Sequence, residues 1–347
     1  MPASVIVGGQ FGSEGKGKVA LEWVRRDPTI SIAIRPGGTN SGHTGYTKDG
    51  RALTLRQLPA AAIDGNVKVV LPAGSYIDVE LLEAEIKRVG LGKNDLHIDP
   101  RAHVIRNEHI QWEQTSQLVD SIGSTGSGTG AAVLSRLARY APSFPSGTPA
   151  SETPDLEKYL VDTSALIAHA LQKEERVLIE GTQGFGLSPI HGDAWPKCTS
   201  RDTTAASFLS EAGISPLDVD QVVLVVRCHP IRVAGRSGPL IGETTWDQIA
   251  AQAGTFTDLR EYTSVTKKVR RVGFFDPELV QRAIRVNAPT AIVLNHLDYI
   301  DAEMYGQGTL TSKAKEFIHH VEQSIGHSVS FFGTDERTIH AWSEAFA

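Results

Sequence analysis

Short apolar runs at 4–7, 30–34, 67–71, 177–179, 222–226 and 291–294 alternate with segments whose apolar residues return every three or four positions. Runs of that length bounded by turn residues predict strands buried on both faces. The three- and four-residue steps predict helices over 79–89, 109–122, 156–172, 277–285 and 313–324. Strands alternating with helices in this way predict an α/β fold, a mainly parallel central sheet flanked by helices. Four prolines with Ser and Gly between 141 and 154 predict an irregular connection. With no internal repeat or low-complexity tail, residues 1–347 are expected to form a single domain with subdomain insertions.

Charge narrows the partners. A net charge of −6 argues against a general nucleic-acid binder, which needs a basic surface to displace counterions. Small anions remain possible at three basic clusters: Lys16 with Lys18, Arg136 with Arg139, and Lys267-Lys268-Val269-Arg270-Arg271. Only Cys198 and Cys228 are present, without metal-ligand spacing, which fits a reducing compartment. The chain enters a strand almost at once, and its longest apolar run is far too short to cross a bilayer. A cytoplasmic protein without membrane contact is expected, in host cytoplasm if a phage encodes it.

The first strand leads into Gly8-Gly9-Gln10-Phe11-Gly12-Ser13-Glu14-Gly15-Lys16-Gly17-Lys18. Glycines let backbone N–H groups turn toward an anion, and two lysines supply charge for phosphate oxygens. The spacing Gly12-x-x-x-x-Gly17-Lys18 meets the P-loop pattern up to its last position, where Val19 replaces the hydroxyl residue that normally holds magnesium. Val19, Ala20, Trp23 and Val24 follow at helical spacing, so the loop hands its anion to a helix N-terminus.

In open parallel sheets ligands sit beyond the carboxyl ends of the strands, and the polar motifs fall there repeatedly. After 30–34 comes Arg35-Pro36-Gly37-Gly38-Thr39-Asn40-Ser41-Gly42-His43-Thr44; after 177–179 comes Glu180-Gly181-Thr182-Gln183-Gly184; after 291–294 comes Asn295-His296-Leu297-Asp298. The last resembles the base-reading Asn-Lys-x-Asp of guanine-nucleotide proteins, with His296 in place of the lysine. One shared nucleotide cleft is expected.

Taken in order with Gly123-Ser124-Thr125-Gly126-Ser127-Gly128-Thr129-Gly130 and Arg270-Arg271-Val272-Gly273-Phe274-Phe275-Asp276, these loops resemble the adenylosuccinate synthetase family from the first strand to about Ile339. The resemblance implies that family's P-loop-like nucleotide-binding architecture. It also implies a ligase that couples aspartate to C6 of a 6-oxopurine nucleotide after a nucleoside triphosphate phosphorylates O6. On that likeness His43 is the proton donor at O6, with Ser13, Gln183 and Lys16 completing the catalytic set. Ser13, Asn40, Thr125, Gln183 and Thr199 hold the monophosphate, and Arg139 is lent by a partner subunit, which implies a homodimer. Gly12, Glu14, Gly15, Lys16, Gly17, Lys18, Thr44, Asn295, Leu297, Asp298 and Gly333 hold the triphosphate. Ser264, Val265, Thr266, Lys268 and Arg270 clasp aspartate, Lys268 standing where the family has arginine. Mg2+ is the implied cofactor, with Ser13 and the Gly42 carbonyl as ligands.

Ser13 departs from the family pattern, which has an aspartate there as general base on N1 and magnesium ligand. A hydroxyl is no base near neutral pH, but a small neutral side chain beside C2 leaves room for a 2-amino group. A bacteriophage branch of the family carries the same replacement. Likeness to it implies condensation of dGMP with aspartate, driven by ATP or dATP, giving N6-succino-2-amino-2′-deoxyadenylate for diaminopurine DNA. The competing expectations are an ordinary IMP- and GTP-using synthetase, and a nucleotide-binding switch or sensor without chemistry.

Overall fold

A computed structural model describes residues 2–263 and 267–342. Its strands are β1 (Ala3–Gly8), β2 (Ile30–Ile34), β3 (His43–Tyr46), β4 (Ala52–Leu55), β5 (Lys68–Leu71), β6 (Tyr76–Ile77), β7 (Leu96–Ile98), β8 (His103–Val104), β9 (Arg176–Glu180), β10 (Val219–Arg227), β11 (Ile231–Arg232), β12 (Glu243–Thr244), β13 (Arg271–Gly273), β14 (Ala291–Asn295), β15 (Phe331–Phe332) and β16 (His340–Ala341). The helices are α1 (Lys16–Arg26), α2 (Val79–Val89), α3 (Asn107–Thr115), α4 (Leu118–Ile122), α5 (Thr129–Ala138), α6 (Thr163–Gln172), α7 (Ala205–Ala212), α8 (Trp246–Ala253), α9 (Pro277–Asn287) and α10 (Ser312–Ile325).

The central sheet runs β16-β15-β14-β10-β1-β9-β2-β5-β7, parallel throughout except for the β15–β16 pair. All six expected strands lie in it. Two-residue alternation divides their side chains between the faces. Val5 and Val7 of β1 join α6, α7, α9 and α10 in one apolar cluster, whereas Ile6 joins Val19, Ala20 and Val24 of α1 in another. A third cluster gathers Val69 and Leu71 of β5 with Leu53 and Leu55 of the β3–β4 hairpin and Leu82 of α2. Helices therefore cover both faces, which is why the strands read as unbroken apolar runs.

Register brings the polar strand ends to one edge. Ile6 of β1 pairs with Glu180, Gly8 with Val225, Ile34 with Ile179, and Arg227 with Asn295. Arg35, Glu180, Arg227 and Asn295 thus close neighbouring strands beside the loop that follows β1.

The expectation of one helix over 109–122 is corrected. Thr115 Oγ1 donates to the Gln111 carbonyl at 3.0 Å and Ser116 Oγ to that of Trp112, and Gln117 turns left-handed at φ 58° before α4 begins. Side-chain hydroxyls take up carbonyls of the last turn and the helix stops. The expected helix over 156–172 is likewise a short 3-10 turn (Pro154–Tyr159) and then α6, which starts afresh where Asp162 accepts from Ala165 N. The expected helices at 79–89, 277–285 and 313–324 correspond to α2, α9 and α10. Among the described residues no helix is long and apolar enough to cross a membrane.

Candidate active site

The loop after β1 is organised by a carboxylate. Glu14 is fully buried, and its Oε1 accepts from Gln10 N (3.1 Å) and Gly12 N (2.8 Å) while its Oε2 accepts from Lys16 Nζ (2.6 Å). A Cβ on Gly8 would lie 2.6 Å from Glu14 Oε2, so glycine there makes the fold-back possible. Glu14, expected among the triphosphate contacts, spends its side chain on the loop itself. Gly15, at φ 93°, caps α1, and the first helical bond runs from Val19 N to the Gly15 carbonyl. The N–H groups of Lys16, Gly17 and Lys18 precede that bond and lie at the positive end of the helix, a position suited to an anion.

His43 begins the β3–β4 hairpin, and its Cβ would be 2.7 Å from a Cβ on Gly17. The bare backbone at Gly17 is what lets the imidazole pack on the start of α1. His43 Nδ1 lies 2.5 Å from Glu180 Oε1; Arg35 Nη1 reaches the same oxygen at 3.3 Å, and Ala60 N donates to Oε2 at 2.7 Å. Burial alone would raise the Glu180 pKa, but the His43 bond and the Arg35 charge hold it below the ordinary carboxylate value. Burial, with the Arg35 charge beside it, lowers the His43 pKa to about 4. The imidazole is therefore neutral near pH 7, its proton on Nδ1 and a lone pair on Nε2.

Ser13 adopts φ 58° and sits between two arginines. Arg227 Nη1 donates to its carbonyl at 3.0 Å, and Arg270 Nη1 donates to its hydroxyl. Arg227 is fully buried and pairs with Glu261, whose Oε1 also accepts from Tyr299 OH at 3.1 Å. Burial would raise the Glu261 pKa, yet Arg227 pulls it down to about 2. Arg270 adds a bond to the Tyr262 carbonyl at 3.1 Å.

Asn40, Gln183 and Thr199 lie together: Gln183 Nε2 donates to Asn40 Oδ1 at 2.9 Å, and Asn40 Nδ2 to Thr199 Oγ1 at 3.4 Å. Gln183 Oε1 is buried with no hydrogen-bond partner, an acceptor suited to a ligand donor. Thr125 donates to Ser127 Oγ at 3.2 Å in a loop that Glu113 shapes by accepting from Gly128, Gly130 and Ala131 N–H groups.

At the far end of the loop, Asn295 Nδ2 donates to the Glu14 carbonyl at 2.7 Å, Leu297 N to the Gly333 carbonyl at 3.0 Å, and Lys18 Nζ to the Asp335 carbonyl at 2.7 Å. Leu297 is wholly buried in the core, so its side chain is out of reach of a ligand. Asp298 follows on a short turn (Leu297–Tyr299) beside a cavity of about 510 Å3.

Three expected residues stand apart. Thr44 is exposed on β3 and bonds Thr54 Oγ1 at 2.8 Å; Lys268 is exposed, with its N–H on Thr263 Oγ1. Arg139 is exposed at the end of α5 with φ 57°. Ser264, Val265 and Thr266 lie outside the described residues. Sequence reasoning gave no role to Arg35, Arg227, Glu261 or Glu113, and quoted Glu180 only within its motif. The signal for Arg35, Glu180 and Arg227 was a charged residue closing an otherwise apolar strand.

The mainly parallel sheet, the glycine- and lysine-rich loop at the end of β1 and the histidine–carboxylate pair at the neighbouring strand end together have the arrangement of an α/β nucleotide-binding protein. The chain belongs to the adenylosuccinate synthetase family, whose model matches residues 5–144 and 150–305. It is 35% identical over 338 residues to adenylosuccinate synthetase of Archaeoglobus fulgidus, covering 96% of each chain, and 37% identical over 340 residues to that of Methanocaldococcus jannaschii, covering 96% and 94%. Among solved structures, fully ligated adenylosuccinate synthetase from Plasmodium falciparum shares the fold, with a TM-score of 0.84, 21% identity and coverage of 99% and 100%. A cyanophage S-2L succinoaminodeoxyadenylate synthetase (PurZ), bound to dGMP and dATP as energy donor, aligns at TM-score 0.79 and 29% identity over 98% and 95%. The expectation of a switch without chemistry yields to a ligase that joins aspartate to a purine nucleotide.

Proposed function

We propose that this ligase condenses dGMP with L-aspartate, driven by ATP or dATP, to give N6-succino-2-amino-2′-deoxyadenylate, ADP or dADP, and phosphate. Ser13 carries the reading. A neutral hydroxyl, held toward Arg270 at a left-handed backbone position, stands where an IMP-using enzyme needs an ionised base. The 29% likeness to a cyanophage enzyme described as bound to dGMP and dATP supports it.

In this reading Lys16, Lys18 and the start of α1 bind the triphosphate, and O6 of the purine attacks its γ-phosphorus as ADP or dADP leaves and the N1 proton passes to water. His43 takes up a proton from water on Nε2 as the anionic phosphoryl group arrives and donates it in a hydrogen bond toward that group, Glu180 stabilising the imidazolium. Asn40, Thr125, Gln183 and Thr199 seat the monophosphate. Arg270 pairs the carboxylate of aspartate, whose amine then attacks C6 and displaces phosphate. Ser264, Val265, Thr266 and Lys268 belong to the same clasp.

Magnesium fits as an ion carried in on substrate phosphates. Among the described residues no group of three or more His, Cys, Asp or Glu could hold a metal, and the donors implied here, the Ser13 hydroxyl and Gly42 carbonyl, are uncharged. When bound, it offsets phosphate charge. Arg139 completes the site of a second copy in a homodimer, and the exposed Leu137 and Tyr140 beside it, 70% and 95% accessible, suit burial there.

The archaeal relatives, named adenylosuccinate synthetases, favour a second reading in which IMP and GTP are used. Protein mixed with magnesium, aspartate, ATP or GTP, and either dGMP or IMP, followed by mass spectrometry, separates the two. A succinylated product from dGMP is expected; product from IMP alone would overturn the first reading.

A further inference from the structure

The notable group left over is Asp298. It is half-buried, its Oδ1 is inaccessible to solvent and has no hydrogen-bond partner, and it lines the 510 Å3 cavity with Thr255, Leu259, Tyr299 and Tyr305. A carboxyl group that lines a cavity roomy enough for a nucleobase while one of its buried oxygens lacks a partner is suited to a ligand donor. We propose that Asp298 reads the base of the phosphoryl donor in two protonation states. As a neutral carboxylic acid it pairs with adenine, its O–H donating to N1 and its carbonyl accepting from the 6-amino group; as a carboxylate it pairs with guanine, accepting from N1–H and the 2-amino group. The inference rests on the triphosphate-site reading above and deepens it.

The chemistry of the two edges requires two forms of the reader. Adenine offers one acceptor and one donor, which a carboxylic acid matches with one donor and one acceptor. Guanine offers two donors on the N1 and 2-amino side, which only the acceptor-only carboxylate matches.

The surroundings make both forms reachable. From α1, Lys18 faces Asp298, but its ammonium is committed to the Asp335 carbonyl and burial lowers its own pKa to about 8. From the end of β10, Arg227 faces it while paired with Glu261, and Cys228 beside it is held as the thiol by burial. Asp335 opposes ionisation from the segment after β15. Glu261, Asp258, Arg260 and Glu336 line the same cavity, as does Tyr299, whose pKa burial raises. His296, where a guanine reader carries lysine, stacks on Tyr299 with ring centroids 5.1 Å apart, and burial keeps it neutral. No ion pair among the described residues engages Asp298, so burial prevails and lifts its pKa to about 7.

The test is the ratio of ATP to GTP affinity, measured by calorimetric titration with magnesium from about pH 6 to 8.5; triphosphate ionisation is common to both nucleotides and cancels. The ratio is expected to fall about tenfold per pH unit, because one nucleotide needs the proton that the other excludes. Asp298→Asn, whose amide donates and accepts, should abolish that slope and favour ATP at every pH. His296→Lys should move the ratio toward GTP at every pH. A flat wild-type ratio with both nucleotides bound would overturn the proposal and leave the triphosphate site standing. Absence of binding by either nucleotide would overturn the site reading and the proposal with it. Because each ratio is taken within one preparation, a partly unfolded variant does not disturb it.

Discussion

Glu180 grips His43 through Nδ1 at 2.5 Å while Arg35 and the Ala60 N–H hold the same carboxylate from other sides. The glutamate thereby fixes both the orientation and the tautomer of the imidazole, since an ionised oxygen at Nδ1 leaves Nε2 as the nitrogen available for proton transfer.

Replacing Glu180 by Gln keeps an acceptor for Ala60 N but removes the charge that stabilises an imidazolium. We expect kcat to fall about 100- to 10,000-fold with KM for the nucleotides little changed. Steady-state rates over a pH series check this. A drop in affinity without loss of kcat would mean that Glu180 only shapes the pocket.

Arg227 and Glu261 form the second pivot. Arg227 is fully buried, and the same guanidinium holds the Ser13 carbonyl at 3.0 Å. Glu261→Gln leaves that cation without its counter-charge, which should destabilise the fold by about 3–5 kcal/mol and loosen the loop at Ser13. Urea denaturation measures the first effect, and the KM for aspartate the second. An unaltered denaturation midpoint would show that Arg227 finds other partners.

Much of this arrangement was legible in the sequence. Six apolar runs became neighbouring strands of one parallel sheet, because a strand buried on both faces has no polar alternation to obscure it. Strands such as Phe331–Phe332 and His340–Ala341 are two residues long, too short for any period to register. The loop from Gly8 to Lys18 announced an anion site, yet its composition gave no sign that Glu14 would fold inward on Gln10 and Gly12 N–H groups. Likewise, Arg35 and Glu180 are 145 residues apart and meet only through the β2–β9 register. Long-range pairs of this kind are set by topology, which local pattern does not encode.

Ser13→Asp tests the substrate reading. An aspartate between Arg227 and Arg270 gains two cationic neighbours and would be ionised, with a charge and added bulk on the side assigned to the purine 2-amino group. Turnover of dGMP should fall about 10- to 100-fold and that of IMP should rise. Competition between the two nucleotides at fixed aspartate and ATP gives the ratio directly. An equal or improved rate with dGMP would remove the cause assigned to Ser13.

Acid sensitivity follows from buried histidines. His229 packs edge-on to Phe274, its Nδ1 has no hydrogen-bond partner, and burial, aided by the Arg227 charge, lowers its pKa from 6.5 to about 4. Between those values the unfolded chain binds a proton that the folded chain refuses, so stability rises with pH. The contribution is fully present above 6.5 and is lost as pH falls through 4, amounting to about 3 kcal/mol at most. His43 acts in the same direction, whereas Asp298, raised from 3.8 to about 7, acts in the opposite one. The wild-type curve is therefore a sum, and the comparison with His229→Gln isolates one member of it. Urea midpoints taken at about pH 4.5 and 7 should show the wild type losing more stability on acidification than the variant, by up to about 3 kcal/mol. Parallel losses would mean that His229 takes up its proton in the folded protein as readily as in the unfolded chain.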